Sequence, residues 1–208
     1  MREPISSYPH VRVQGDGRQV ASQAGAVLLL ETVRKTGLDQ AISAALAPWR
    51  KQRAVHDPGK TLLDVARAVA LGGDCLADVA MLQCEPAVFA PVASAPTVSR
   101  LIGTLAASGE IVLQSVRSAR SEVRYRAWSL AGENAPDTDG QVTVDLDGVL
   151  VIAHSDKEDA AATWKKTYGH HPLTAFVDHG PGGTGEPVAA LLRPGNAGSN
   201  TAADHITT

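Results

Sequence analysis

At 208 residues and 44% hydrophobic content, the chain has the size and composition of a globular protein with one well-filled core, or of a small domain joined to part of a larger one. No apolar run is long enough to span a bilayer, the opening Met1-Arg2-Glu3-Pro4 lacks signal-peptide form, and two cysteines exclude a disulfide framework or zinc finger, so a cytoplasmic protein with Cys75 and Cys84 as buried thiols is expected. The net charge of -3 hides an asymmetry: residues 1–130 carry 15 Lys+Arg against 11 Asp+Glu, and residues 131–208 carry 4 against 11, as a nucleic-acid grip joined to an acidic, metal-dependent half would.

Residues 1–20, polar with scattered Pro, Gly and Arg, read as an extended arm. From Ser22 the pattern is helical, with Val27, Leu30 and Val33 on one face and Gly37 as the stop. Leu38–Leu46 makes a second helix closed by Pro48. Arg50-Lys51-Gln52-Arg53 and Asp57-Pro58-Gly59 form a basic loop, Thr61–Leu71 a third helix, Gly72-Gly73 a turn and Cys75–Gln83 a fourth helix. After Pro86 and Pro91, Ser94 or Ala95 caps another helix. Pro96 sits in its first turn and Val98, Leu101 and Ile102 form an inward stripe. Thr97, Ser99 and Arg100 lie near its exposed start. Residues 109–129 give a longer helix with a Val112, Val116, Val123, Ala127 seam, studded by Arg117, Arg120, Arg124 and Arg126.

The Gly/Pro/Asp/Asn-rich segment Ala131–Gly140 marks a linker, after which the period changes to that of strands. Strands are expected at 141–147, 171–179 and 187–193, the last two joined by the loop Gly180–Gly185 as an antiparallel hairpin. A loop from Asn196 then runs into a helix start near Asp204. In the first strand, Asp145 and Asp147 share one face with Thr143, while Val142, Val144 and Leu146 share the other, which can anchor the strand in a core. Two neighbouring acids are costly unless a cation or a proton lies between them. The pattern fits a Mg²⁺ site for phosphoryl or phosphodiester chemistry, and fits equally a solvated strand end with two surface aspartates.

Several segments together narrow this choice. V-T-V-D-L-D-G-V-L-V-I-A-H-S-D-K-E-D-A-A-A-T-W-K-K-T-Y-G-H-H-P-L and L-L-R-P-G-N-A-G-S-N-T-A-A-D-H-I, with the upstream G-G-D-C-L-A-D-V-A-M-L and A-P-T-V-S-R-L-I, resemble the bacterial DDE-class insertion-sequence transposases, the group of insertion sequence thirteen-eighty in particular. The likeness runs from about Ala21 onward. It implies an α+β chain: an extended arm (1–20), an all-helical DNA-binding region (21–130), a linker (131–140) and, over 141–208, the first antiparallel strands of an incomplete RNase H-like domain. It implies that Asp147 is the first acid of an Asp-Asp-Glu triad and a Mg²⁺ ligand, with Asp145 an outer or alternative acid. Val149 stands where the family has Thr, so the hydroxyl that would orient the carboxylate is missing. The family's second Asp and its Glu lie beyond the stretch matched here, so the expectation is a fragment inactive in strand cleavage and transfer. Two Mg²⁺ ions roughly 3.5–4 Å apart need more carboxylates than one strand offers. The implied partner is DNA, the terminal inverted repeats of the element, with a homodimer left open and no membrane.

Lys157, Lys165, Lys166, His170 and His171 fit either contacts to the DNA backbone or an ordinary solvated loop. Thr97, Ser99 and Arg100 resemble the start of a recognition helix. Asp204 reads as a cap or part of a local network, Arg193 as a turn residue, and Trp164 beside two lysines as the one tryptophan with a case for stacking. Two other functions remain. V-D-L-D-G-V-L also fits haloacid-dehalogenase-like phosphatases, with Asp145 as nucleophile and Asp147 as acid/base around Mg²⁺ on a parallel strand. A truncated transposase that keeps its N-terminal helices could act as a non-catalytic, DNA-end-binding regulator that blocks the full-length enzyme.

Overall fold

The computed structural model describes residues 7–12, 14, 24–136, 140–153, 157–180, 183, 185–198 and 201–208. Most of the expected arm, the helix start at Ser22, residues 137–139 of the linker, Pro181, Gly182 and Thr184 of the hairpin loop, and Ser199-Asn200 lie outside them. The chain divides into two compact units, Met1–Ala127 and Trp128–Thr208. No helix among the described residues is long and apolar enough to cross a membrane.

The first unit is helical. Helix α1 (Ala26–Thr36) stops at Gly37, whose φ of 74° is left-handed and whose N–H reaches back to the Val33 and Arg34 carbonyls. A side chain there would also meet the Arg126 guanidinium, which fills that space and donates to the Thr36 carbonyl at 3.1 Å. Helix α2 (Leu38–Leu46) follows directly. Helix α3 (Pro58–Ala70) begins three residues before the expected Thr61. Asp57, read from sequence as part of a loop, accepts the Lys60 N–H at 3.0 Å, and Pro58 takes the first turn, where its missing N–H costs nothing. Then come α4 (Val79–Gln83), α5 (Pro86–Phe89), α6 (Ala95–Ala106) and α7 (Gly109–Ala131).

Two apolar clusters fill this unit. One gathers Ala26, Leu30, Ala68, Val79, Leu82, Phe89 and Val98, and the other Ile42, Leu46, Leu63, Leu105, Val112 and Ala119. Two expectations are corrected here. Ile102 is 42% exposed, because Leu105, one turn on from Leu101, takes the inward position. Cys75 and Cys84 are exposed, since both flank the short α4 and do not lie on its buried face.

Charged residues are also buried. Lys60, Asp64 and Arg67 recur on one face of α3 at 2–3% exposure. Lys60 Nζ lies 2.8 Å from Asp64 Oδ2, and the Tyr8 hydroxyl donates to Asp64 Oδ1 at 2.8 Å while accepting from Arg67. Both cations stand over the Tyr8 ring, at 4.6 and 4.0 Å from its centre. Burial pushes the Asp64 carboxyl and the Tyr8 phenol up and the Lys60 ammonium down; the opposite charges partly restore the acid and the lysine. The segment expected as an extended arm is held against α3 at Tyr8.

The second unit contains β1 (Val144–Gly148), β2 (Val151–Ile152), β3 (Ala161–Ala162), β4 (Tyr168–His170), β5 (Leu173–Val177), β6 (Glu186–Leu191) and α8 (Ala202–Thr207). The strands form two antiparallel sheets, ordered β1-β5-β6 and β2-β4-β3. Helices followed by antiparallel strands make the chain α+β. The expected three strands are the first sheet; the second occupies what reads from sequence as a lysine-rich loop. Leu173, Ala175 and Val177 of the central β5 are buried, but β1 is an edge strand. The apolar face of its segment, expected to anchor in a core, is half in water: Val142 is 38% exposed, Val144 51% and Leu146 45%.

Candidate functional site

Asp145 and Asp147 project from the same face of β1, in register with Phe176 and Thr174 of β5, and both are exposed. Two strand residues apart, their Cα atoms are separated by about 6–7 Å. The Thr174 hydroxyl donates to the Asp147 carbonyl at 3.0 Å and so fastens the backbone of the acid, not its carboxylate. Val149 is 45% exposed and contributes its N–H to the Pro172 carbonyl at 3.1 Å.

Beneath the other face of this strand end stands a buried polar post. A Cβ on Gly148 would come within 2.9 Å of His171 Nε2 and 3.5 Å of Arg193 Nη2, so only glycine fits without a shift. His171 cannot easily move away, because its Nδ1 is paired with the Ala197 carbonyl at 3.0 Å and its backbone N–H with the Arg193 carbonyl at 3.0 Å. Arg193, 4% exposed, donates Nε to the His171 carbonyl (2.9 Å) and Nη1 to the Gly198 carbonyl (3.0 Å) and Asp204 Oδ2 (2.9 Å). That hydrogen bond to Arg193 holds the Asp204 carboxyl below its ordinary range. Asp204 is therefore part of a local network, and Arg193 a structural residue. His170 is likewise buried, its Nε2 at 3.0 Å from the Glu158 carbonyl, so neither histidine faces outward for DNA or a metal.

The lysines after Asp147 are on the surface. Lys165 and Lys166 sit with Trp164 at the tip of the β3–β4 hairpin, closed by the Thr163 N–H to the Thr167 carbonyl at 2.8 Å. Trp164 is 71% exposed and Lys165 Nζ lies 4.9 Å from its ring centre. Lys157 is exposed in the turn before β3. In the first unit Thr97 and Arg100 are joined, guanidinium to hydroxyl, at 3.0 Å, and Ser99 is exposed beside them. On α7, Arg117 makes a loose ion pair with Glu110 (3.8 Å), while Arg120 and Arg124 have partners of their own.

Aspartate oxygens are the right kind of donor for Mg²⁺. Among the described residues, however, no third His, Cys, Asp or Glu joins Asp145 and Asp147. The group close enough to share an ion is Asp74, Cys75 and Asp78. There Asp78 accepts the N–H groups of Asp74 and Cys75, both at 2.9 Å, and so closes a 3₁₀ turn. The donors at β1 suit the ion in kind and not in number.

A protein-family model described as transposase DDE domain group 1 matches residues 3–208. No curated protein and no solved structure matches the chain.

Proposed function

The chain belongs to the transposase DDE domain group 1 family, and so to DNA transposition; on that premise we propose how its parts serve that function. Residues 21–130 bind the ends of an element of the insertion sequence thirteen-eighty group, and residues 141–208 open an RNase H-like catalytic domain. Asp147 is the first catalytic acid and a Mg²⁺ ligand, and Asp145 an outer acid. Asp147 needs further carboxylates beside it to hold such an ion, and Mg²⁺ bound there would supply charge stabilisation to the attacking and leaving oxygens.

The observation that carries this reading is the placement of Asp147 on an edge strand paired antiparallel to β5. A half-exposed apolar face and an unpaired ladder are costly in a finished sheet and invite a further strand and its covering layer. The same pairing counts against a haloacid-dehalogenase-like phosphatase, which needs the acid strand inside a parallel sheet. Trp164, Lys165 and Lys166 at an exposed hairpin tip are suited to contact DNA, and Arg117, Arg120 and Arg124 add positive charge on α7. A non-catalytic regulator shares the helical region and differs only at the acids.

The test is Asp147→Asn, read by cleavage at the element ends and by a mobility shift on the same ends. Mg²⁺-dependent cleavage at the element ends should be lost while a mobility shift on those ends is retained, and Asp145→Asn should do less. Cleavage that survives Asp147→Asn, or a mobility shift lost together with cleavage, would overturn the assignment of Asp147 as a catalytic acid.

A further inference from the structure

The loop before α3 and the start of α6 form the two walls of one groove in the first unit, about 510 Å³ in volume. Lys51, Arg53, His56 and Arg100 line it, with Trp49 and Thr97 among its other walls, and no Asp or Glu is among the lining residues. Lys51, Arg53 and Arg100 are exposed. The nearest acid in sequence, Asp57, is fully buried, with one oxygen capping α3. Its other oxygen lies 3.9 Å from Arg50, so its charge is shared between the helix start and that arginine. Arg100 is held in place: its guanidinium donates to Thr97 Oγ1 at 3.0 Å, and Thr97 Oγ1 lies 3.1 Å from Ser94 Oγ.

We propose that this groove seats the sugar-phosphate backbone of DNA, so that the start of α6 positions the duplex and does not read its bases. The inference rests on the DNA-binding reading above and deepens it. A recognition helix has to stand proud of the surface to enter a major groove about 8.5 Å deep. Here the helix start is one wall of a hollow and residues 51–56 rise as the other. A hollow receives the convex part of its partner, and the convex part of a duplex is its phosphate ridge. Cations without an intervening acid, hydroxyl donors and a half-buried indole suit phosphate and sugar, contacts that fix register without carrying sequence information.

The experiment is fluorescence anisotropy of the whole chain on a labelled random-sequence duplex of about 30 base pairs, titrated at several salt concentrations. It is repeated on a duplex carrying the terminal repeats. The variants are a triple Lys51→Gln, Arg53→Gln, Arg100→Gln and a control, Lys35→Gln, an exposed lysine outside the groove. Circular dichroism checks that the helices persist. Each lost phosphate contact lowers the slope of log affinity against log salt by about 0.9. The triple variant should therefore lose about 2.7 of slope, and between about 50 and 200 mM salt the unmodified chain should lose roughly 40-fold more affinity than the triple variant. The loss should be the same on both duplexes, and the control should bind like the unmodified chain. An unchanged slope in the triple variant, or an equal change in the control, overturns the groove while leaving DNA binding by the chain intact. A loss confined to the terminal repeats makes the groove a base reader and overturns the positioning role. An unmodified chain that binds neither duplex removes the DNA-binding reading itself.

Discussion

Asp64→Asn is the sharpest probe of how the first unit is held together. The side chain keeps its shape but no longer offers a charge to Lys60 Nζ at 2.8 Å or to Arg67 at 3.7 Å, and both cations have side chains no more than 4% exposed. Removing one partner of a buried charge pair costs about 3–5 kcal/mol, because the charge left behind loses its nearest counter-ion where water cannot replace it. With a urea dependence of about 2 kcal/mol per molar, the unfolding midpoint should fall by about 2 M. Circular dichroism of the helices against urea reads this directly. The pH dependence supplies a second signature. Lys60 lies below its ordinary value in the folded chain, chiefly through burial, so between that lowered value and about 10.4 the unfolded chain binds more protons and stability rises with pH. Without Asp64 to support its charge, Lys60 is lowered further and the rise is steeper. The deficit of the variant should therefore narrow from neutral pH to about pH 9.5. An unchanged midpoint, or a deficit that widens with pH, would refute this account of the cluster.

Three further outcomes are expected in the second unit. Gly148→Ala forces a Cβ to within 2.9 Å of the anchored His171 ring and should lower stability by about 1–3 kcal/mol in a thermal melt followed by near-ultraviolet signal; a neutral result would mean that the His171–Arg193 post is not rigid. Asp204→Asn weakens the hydrogen bond to Arg193. Because the folded carboxyl lies below its ordinary value, the stability it adds is present above about pH 4 and is lost as pH falls through the folded value, so wild type and variant should converge in acid unfolding and differ near neutrality. Trp128→Phe deletes the indole N–H donated to Glu186 at 3.0 Å and should cost about 1 kcal/mol in the same melts; a fully neutral substitution would show the bond to be replaceable by water.

The helical half was readable because its signals are local. Gly37 stops a helix, Pro96 opens one, and the Val112, Val116, Val123 seam extends through Ala119 at the same spacing. Where local signals are ambiguous the reading slipped: Asp57-Pro58-Gly59 serves a turn and a helix cap equally well, and here caps α3. The charged stripe Lys60, Asp64, Arg67 looks like a solvated face until Tyr8, 52 residues from Lys60, is placed against it. The second sheet escaped for a similar reason. Ala161-Ala162 has little strand preference, and the turn after it gives a left-handed position, φ 59°, to Lys166 where glycine would have announced a hairpin. At the candidate site the two aspartates and their shared face were visible in the alternation of β1. The post of His171, Arg193 and Asp204 was not, because it depends on contacts across 11 to 26 residues that no short pattern records.

Helix α3 has a consequence for the order in which the molecule comes apart. It places Ala68 in one apolar cluster and Leu63 in the other, a turn and a half apart on the same rod. Neither cluster can open by simply releasing a loop: fraying α3 from one end exposes the first, and from the other end the second. Two cores that share a structural member lose their packing in a single step, so amide protons in α2, α3 and α6 should exchange together, at the free energy of global unfolding, as one cooperative block. Parts that touch α3 at only one point are outside that block. Tyr8, which meets Lys60, Asp64 and Arg67 along two turns of α3, is inside it.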